Sequence, residues 1–471
     1  MGSLSLAAAA HTHPLRAAWI ADGKTITHAE AWALASSAAA RLAAEGVVPG
    51  DRVAFAADPS LATLVTLFGA AAAGATLVPL HPRLTAPERA LQIAAAAPRV
   101  TLEKEDIRAM LAAVRRRAGR EATPRAPASP FALLFTSGSS GTPKGVLLPA
   151  RAFVASAEAA EEIVPFEPRE RWLLCMPLAH VGGLSILTRC LLARRTVVLE
   201  PSFDPDRVLA VVARERITRL SVVPTMLDLL LQRDDRRLLA RLRLLLVGGA
   251  ACPQALLQEC ATRGIRARTT WGLTEACSMV TLQRHHAADV AEEGNGSPIR
   301  GMEIAITDER GRSTTGDGRI RIRGASMMSG YLGAPPLRTG DWFDTGDLGR
   351  LENGRLLVHA RRSDLIVTGG ENVSPAEVER VLESMDGVRQ ALVFGVPDAK
   401  WGQLVAAAIV ADPKRPVPEA RIREELLKRL ANFKRPRQLC FVDALPQLPS
   451  GKLDRARAAA KLGDALRAFA W

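Results

Sequence analysis

The sequence predicts an α/β fold: a large N-terminal domain of α/β subdomains plus a β-rich subdomain, then a small α+β C-terminal domain. Three observations lead there. The chain has 471 residues, 48% hydrophobic and 24% charged, a globular composition too long for one small core. Apolar strand-like runs alternate with Ala/Leu-rich helical stretches through most of its length, the pattern of strands packed against helices. From residue 301 that rhythm gives way to short alternating strands separated by Gly/Asp turns.

Taken in order, Arg52 to Phe55 reads as a strand, Leu61 to Ala73 as a helix and Thr76 to Pro79 as a strand. Residues 99 to 130 are rich in Arg, Ala and Pro and read as an exposed connector before the buried strand Phe131 to Phe135. Glu303 to Thr307, Gly318 to Arg323 and Arg355 to Val358 supply the β-rich part. The pattern shifts again at Arg361 to Asp364, which places the domains at 1–361 and 362–471. The second unit has the length of one small domain. It reads as strand Leu365 to Val367, helix Pro375 to Ser384, strand Gln390 to Val396 and helix Pro418 to Leu430.

Composition narrows the function classes. The longest apolar stretches, such as Leu61 to Leu80, are Ala- and Gly-rich and broken by turn formers, so none reads as a membrane span. Met1 to Ala10 lacks a basic n-region, and a cytoplasmic protein is expected. The six cysteines are scattered without a CxxC pair, which fits reduced, mostly buried thiols. The net charge of +13 raises a nucleic-acid-binding or scaffold reading. Its densest run, Arg115-Arg116-Arg117 with Arg120, adjoins an Ala-rich helical pattern, and the single Tyr leaves no aromatic interleaving for stacking bases. A solvated helix face is the better account, so no nucleic-acid partner and no membrane partner are expected. Small polyanions would still profit from the positive field.

The strongest local signal is Thr136-Ser137-Gly138-Ser139-Ser140-Gly141-Thr142-Pro143-Lys144-Gly145-Val146, directly after the apolar strand. Its three glycines and five hydroxyl residues can wrap a triphosphate with backbone N–H groups and hydroxyls, and Lys144 supplies charge. It is not a Walker A loop, because Lys144 lies between Pro143 and Gly145 rather than before Ser or Thr.

In this loop, and in further signatures that follow it in fixed order, the chain resembles the adenylate-forming ligases, the family of acyl-CoA synthetases, luciferases and carrier-protein adenylation domains. The resemblance covers nearly the whole sequence. It implies that Thr136, Ser137, Gly138, Ser139, Ser140, Gly141 and Lys144 grip the phosphates of ATP. Gly248-Gly249-Ala250 resembles the segment flanking adenine and the acyl pocket, which assigns Gly249 and Ala250 to the nucleotide. Trp271-Gly272-Leu273-Thr274-Glu275 resembles the Tyr-Gly-x-Thr-Glu signature. There Trp271 would lie against the nucleotide, Thr274 would contact the α-phosphate and Glu275 would hold Mg2+. Asp344-Thr345-Gly346-Asp347 resembles the turn whose last Asp, here Asp347, accepts both ribose hydroxyls. Carboxylates suit both tasks, as acceptors of paired hydroxyls and as ligands for a hard cation.

Arg361-Arg362-Ser363-Asp364-Leu365-Ile366 resembles the hinge of the family, with Arg361 reaching the nucleotide and Ser363 at the usual pivot Asp; Ala360 replaces the usual Gly. Gly369 and Gly370 lie where the resemblance puts the pantetheine tunnel of coenzyme A, and equally suit a tight strand-to-helix turn. Leu448 to Arg455 resembles the terminal loop that carries the adenylation lysine, which makes Lys452 the primary catalytic residue. A mobile C-terminal domain would present Lys452 for adenylation and the Gly369-Gly370 face for thioester formation.

Met176 to Leu187 contains Pro177-Leu178-Ala179-His180-Val181-Gly182-Gly183-Leu184 and resembles a helix start of the 2-succinylbenzoate- and benzoate-activating members. An aromatic acid follows as the expected substrate, joined to CoA with release of AMP and pyrophosphate. His180 would line the acyl pocket, although a hydrogen-bonded structural histidine is the commoner role for such a residue. Gly182 and Gly183 would leave room for a ring or serve as turn formers. A stand-alone adenylation enzyme loading a carrier protein is the rival of the same fold. Homodimers are common in the family.

Overall fold

The computed structural model describes residues 4–112, 123, 125–136, 143–284, 294–361, 364–368, 371–398, 401–430, 432–448 and 451–469. Two mixed sheets dominate the N-terminal part. The larger runs in the order Ser297–Pro298, Ser278–Leu282, Ala267–Leu273, Leu244–Val247, Arg219–Val222, Arg171–Leu174, Thr196–Leu199, Ala17–Ala21, Lys24–Thr27. Its pairs from Ala267–Leu273 through to Ala17–Ala21 are parallel, and the antiparallel pairs sit at the two edges. Leu244–Val247 is buried along its whole length. A strand covered by helices on both faces needs a continuous apolar run of this kind.

The second sheet runs Gly330–Tyr331, Lys144–Pro149, Pro130–Thr136, Thr76–Leu80, Arg52–Ala56, Val100–Leu102. Helix starts are marked in the sequence by Ser/Thr caps. Thr27 with Glu30 and Thr85 with Glu88 form reciprocal capping boxes before His28–Ala44 and Ala86–Ala96. Leu61–Ala72 is buried on nearly every side, which accounts for its lack of a polar face.

Met302–Thr307, Gly318–Gly324, Phe343–Glu352 and Arg355–Arg361 form a four-stranded antiparallel sheet, the expected β-rich part. From Ile366 on, a further sheet is built around the hairpin of Val388–Asp398 and Gly402–Ala411. Helices Pro375–Glu383 and Glu419–Arg429 pack on it through Val378, Leu382, Ile422 and Leu426. Leu392, Phe394, Ala406 and Ala408 face a second small core on the other side.

Two expectations need correction. Residues 99–130 are not a bare connector: strand Val100–Leu102 and helix Lys104–Ala112 occupy their first part, with Ile107 and Met110 buried. The Arg115–Arg120 run lies outside the described residues. Gly402–Ala411, the central strand of the last sheet, was missed: three alanines at its centre separate Val405 from Ile409 and Val410 and break up the branched run that marks strands. No described helix is long and apolar enough to cross a membrane.

Candidate active site

The segments that carry the motifs leave the carboxyl ends of strands. Thr136 ends Pro130–Thr136, His81 follows Thr76–Leu80, Gly248 follows Leu244–Val247, and His180 lies in the segment after Arg171–Leu174. Open α/β sheets collect ligands at such ends, where successive crossovers diverge and leave a crevice. The two sheets are tied together there, where Leu178 N–H donates to Ala57 O at 3.3 Å.

The strands that flank the Ser/Gly loop, Pro130–Thr136 and Lys144–Pro149, pair antiparallel with Thr136 opposite Lys144. Ser137, Gly138, Ser139, Ser140 and Gly141 lie outside the described residues, so the structure fixes only the mouth of the loop. At that mouth the Lys144 ammonium stands 5.5 Å from the centre of the Tyr331 ring. The Tyr331 hydroxyl donates to Glu275 Oε1 at 2.8 Å, and Met328 N–H donates to Glu275 O at 2.8 Å. Lys144 and Glu275, 131 positions apart in sequence, therefore flank one aromatic ring. Among the described residues no three metal-ligating side chains cluster. One carboxylate beside a phosphate-binding loop fits a Mg2+ that shares its coordination between protein, triphosphate and water, rather than an ion held by protein alone.

Trp271 to Glu275 leaves the sheet through a bulge. Between Trp271 and Gly272 the pairing with Ser278–Leu282 shifts, and a Cβ on Gly272 would stand 1.6 Å from Ser278 O. Only glycine allows that approach. Thr274–Ala276 then forms a single 3-10 turn, closed by Cys277 N–H to Thr274 O at 3.0 Å. Cys277 is fully buried and burial pushes its thiol well above the usual range, so it packs rather than reacts.

The Trp271 indole N–H donates to Asp347 Oδ2 at 3.1 Å. Asp347 itself is 5% exposed, and its backbone N–H donates to Thr345 Oγ1 at 3.1 Å. The expected turn is instead a kink inside strand Phe343–Glu352, with Gly346 at φ +75°. Asp347 pairs across the sheet with Arg361, so the backbone brings those two predicted nucleotide residues side by side. Ser363, Gly369 and Gly370 lie outside the described residues.

Lys452 comes from the far end of the chain. A tight turn holds it, with Leu448 N–H donating to Lys452 O at 2.7 Å and Gly451 N–H to Leu448 O at 2.9 Å. Thr225 Oγ1 donates to Gly451 O at 2.9 Å, which docks this turn on the large sheet's helix Pro224–Arg233. Gly249, at φ +83°, turns its bare face to Lys452: a Cβ there would lie 3.6 Å from Lys452 Cε. Ala250 is exposed beside it. His180 caps Val181–Ala193 with its backbone and makes no side-chain cap bond. Burial lowers its pKa to about 4, with His81 and Lys452 adding to the shift, so its imidazole is neutral at neutral pH. Gly183 is a packing glycine, since a Cβ would meet Pro177 O at 2.4 Å; Gly182 faces the end of Met176.

Several neighbours carry no motif. Tyr331 is the only tyrosine in the chain, a signal that could have drawn attention to it. His81 stacks obliquely on His180 with ring centres 5.2 Å apart. Asp228 Oδ1 accepts from Arg389 at 2.6 Å, while Asp228 Oδ2 accepts from Gln390 at 3.2 Å and from Gln232 at 2.9 Å. That cluster is a second anchor between the large sheet's helix and the C-terminal hairpin.

Lys144 and Glu275 around Tyr331, Trp271 bonded to Asp347, and Lys452 against Gly249 are the placements expected of a nucleotide-dependent enzyme that activates a carboxylate. Comparison with known proteins agrees. The family described as "AMP-binding enzyme" matches residues 6–332, and "AMP-binding enzyme C-terminal domain" matches residues 377–452. The 2-succinylbenzoate–CoA ligase of Bacillus pumilus is 39% identical over 337 residues, 70% of this chain and 68% of that protein. The long-chain-fatty-acid–CoA ligase FadD13 of Mycobacterium tuberculosis is 30% identical over 460 residues, 91% of each chain. The o-succinylbenzoate CoA synthetase (MenE) of Bacillus subtilis, solved with the acyl-adenylate intermediate OSB-AMP, superposes with a TM-score of 0.87 at 30% identity, covering 100% of this chain and 99% of that one. The chain belongs to the AMP-binding enzyme family. Within it, the chain is an ATP-dependent, AMP-forming acid–CoA ligase.

Proposed function

We propose that this ligase converts 2-succinylbenzoate, or a closely similar aryl acid, to its CoA thioester for menaquinone synthesis, working in the cytoplasm. The observation that carries the reading is Lys452 against Gly249, electrostatically in touch with His180 at the start of Val181–Ala193. The segment around His180 is the one whose sequence resembles the 2-succinylbenzoate group, and the similarity to ligases of that name supports it.

The two half-reactions divide the residues. In the first, the acid's carboxylate attacks the α-phosphate of ATP, forming the acyl-adenylate and expelling pyrophosphate. Lys452 offsets the charge on carboxylate and phosphate, Lys144 and the Thr136–Lys144 loop hold the phosphates, and Thr274 bonds the α-phosphate. Glu275 would hold Mg2+, which neutralises phosphate charge as pyrophosphate departs. Asp347, steadied by Trp271, accepts the ribose hydroxyls, with Arg361 beside it. In the second, a CoA thiolate attacks the acyl carbon and AMP leaves. We place the unit boundary at 361/362 and the pivot at Ser363, so that rotation withdraws Lys452 and brings Gly369 and Gly370 to the pantetheine arm.

The test is AMP and pyrophosphate release by the purified protein with ATP, Mg2+ and CoA across 2-succinylbenzoate, benzoate, cinnamate and fatty acids. CoA-dependent AMP release with 2-succinylbenzoate far above the rest is the expected result. A best rate with a fatty acid would overturn the aryl assignment. Pyrophosphate release that ignores CoA would point to a carrier-protein acceptor instead.

A further inference from the structure

His81 has a buried edge that the chemistry above leaves unused. It directly follows strand Thr76–Leu80, and its ring centre lies 5.2 Å from that of His180 with the planes inclined by 50°. Its Nδ1 accepts a hydrogen bond from Arg83 N–H at 3.1 Å. A ring nitrogen that accepts carries no proton, so the neutral ring must bear its proton on Nε2, as a donor. Burial lowers the His81 pKa, with Arg83 adding to it, which keeps the ring in that neutral form. The Nε2 atoms of both His81 and His180 are sealed from solvent and have no hydrogen-bond partner among the described residues. Buried donors are nearly always satisfied, by protein, water or ligand.

His180 feels both His81 and Lys452, whereas the charged group acting on His81 is Arg83. The paired histidine rings thus neighbour Lys452 through His180. The unpaired Nε2–H of His81 beside His180 calls for an acceptor, which an oxygen of the acid other than the reacting carboxylate can supply.

Resting on the acid–CoA ligase reading, we propose that His81 is a specificity-determining residue: its Nε2–H donates to a second oxygen of the acid, a ketone or a further carboxylate. Acids that carry such an oxygen are then preferred over hydrocarbon acids of the same shape. A site built to bond an oxygen discriminates strongly against the analogue lacking it, because the buried donor is left unpaired.

The experiment measures kcat/KM for 2-succinylbenzoate, 4-oxo-4-phenylbutanoate and 4-phenylbutanoate with the wild-type enzyme, His81→Phe and His81→Gln. Phe keeps a flat ring without the donor, and Gln places an amide N–H near the same position. The wild type is expected to favour the oxygenated acids, and H81F to reduce that preference about 10- to 100-fold while changing 4-phenylbutanoate little. H81Q should retain part of the preference. General damage to the fold would lower all three acids by one factor and leave the ratios unchanged, which would overturn the proposal, as would a wild-type enzyme indifferent to the oxygen. Should H81F fail to fold, the wild-type ratios and H81Q still decide. No turnover of any acid would sink the ligase reading itself, whereas turnover with unchanged ratios sinks this inference alone.

Discussion

The nucleotide side of the site and the lysine side are built in opposite ways. Thr136, Lys144, Trp271 and Asp347 sit in or at the ends of strands whose neighbours are fixed by backbone ladders. Lys452 sits on a turn tied to the large domain by side-chain bonds such as Thr225–Gly451 and, further along the interface, Asp228 with Arg389 and Gln390. A ladder is cooperative and holds its residues in place; a few side-chain bonds can break together. The difference supports the proposed division of labour, in which the ladders hold the nucleotide side fixed and docking delivers the adenylation lysine.

Removing the delivered charge should have the largest effect. Lys452→Ala should lower pyrophosphate formation about 100-fold or more, since a group acting on developing charge is lost, yet leave thioester formation from supplied acyl-adenylate within a few-fold of wild type. Equal losses in both half-reactions would erase the contrast between the two sides. Next comes the cation: Glu275→Gln should raise the Mg2+ concentration needed for half-maximal rate by about tenfold, measured by titration at fixed ATP. An unchanged requirement would move the metal away from Glu275.

The docking contacts themselves predict a smaller effect. Asp228 is 7% exposed, and Arg389→Ala leaves its carboxylate without the cation that faces it. The adenylation half-reaction should slow about 5- to 10-fold, with thioester formation unchanged or faster, because the docked arrangement is populated less. The exchanged pair Asp228→Arg with Arg389→Asp should recover part of that loss. Failure of the single change to separate the half-reactions would show that the docked state does not depend on this pair.

Trp271→Phe removes one hydrogen bond from Asp347, so KM for ATP should rise a few-fold with kcat little changed. The smallest expected effect is on stability. Burial, with Glu379 nearby, pushes Glu383 up to about 8, and its Oε1 accepts from Ala391 N–H. The folded protein thus binds a proton that the unfolded chain, with its ordinary pKa near 4.5, has released. That contribution to stability is complete below about pH 4.5 and is lost as pH rises to about 8. Glu383→Gln should therefore flatten the fall in Tm between those limits, as thermal unfolding across that pH range would show.

Much of the site was legible because its residues sit in short motifs whose order runs through the whole chain. The Ser/Gly run after Phe131 to Phe135 announces a backbone task, and Lys452 stood out in a Ser-Gly-Lys turn once the other motifs were aligned with it. The partners were not legible. Tyr331 joins Lys144 to Glu275, His81 meets His180, and Asp228 meets Arg389 across 161 positions, and no spacing rule links residues so far apart. The strand Gly402–Ala411 was missed for a related reason: its central alanines are held as strand by distant partners, Val388–Asp398 on one side and Gln438–Phe441 on the other.

By itself the sequence determined the α/β class, the β-rich part beyond residue 301 and the helices that begin near Pro375 and Pro418. Those depend on local periodicity, capping and backbone freedom, which act within a few residues. Only the tertiary structure decided that Lys452 docks beside Gly249, that His180 is neutral and that His81 lies against His180 with a buried, unpartnered Nε2. Position between sheets, desolvation and tautomer arise when distant segments share one crevice, and no local rule contains them.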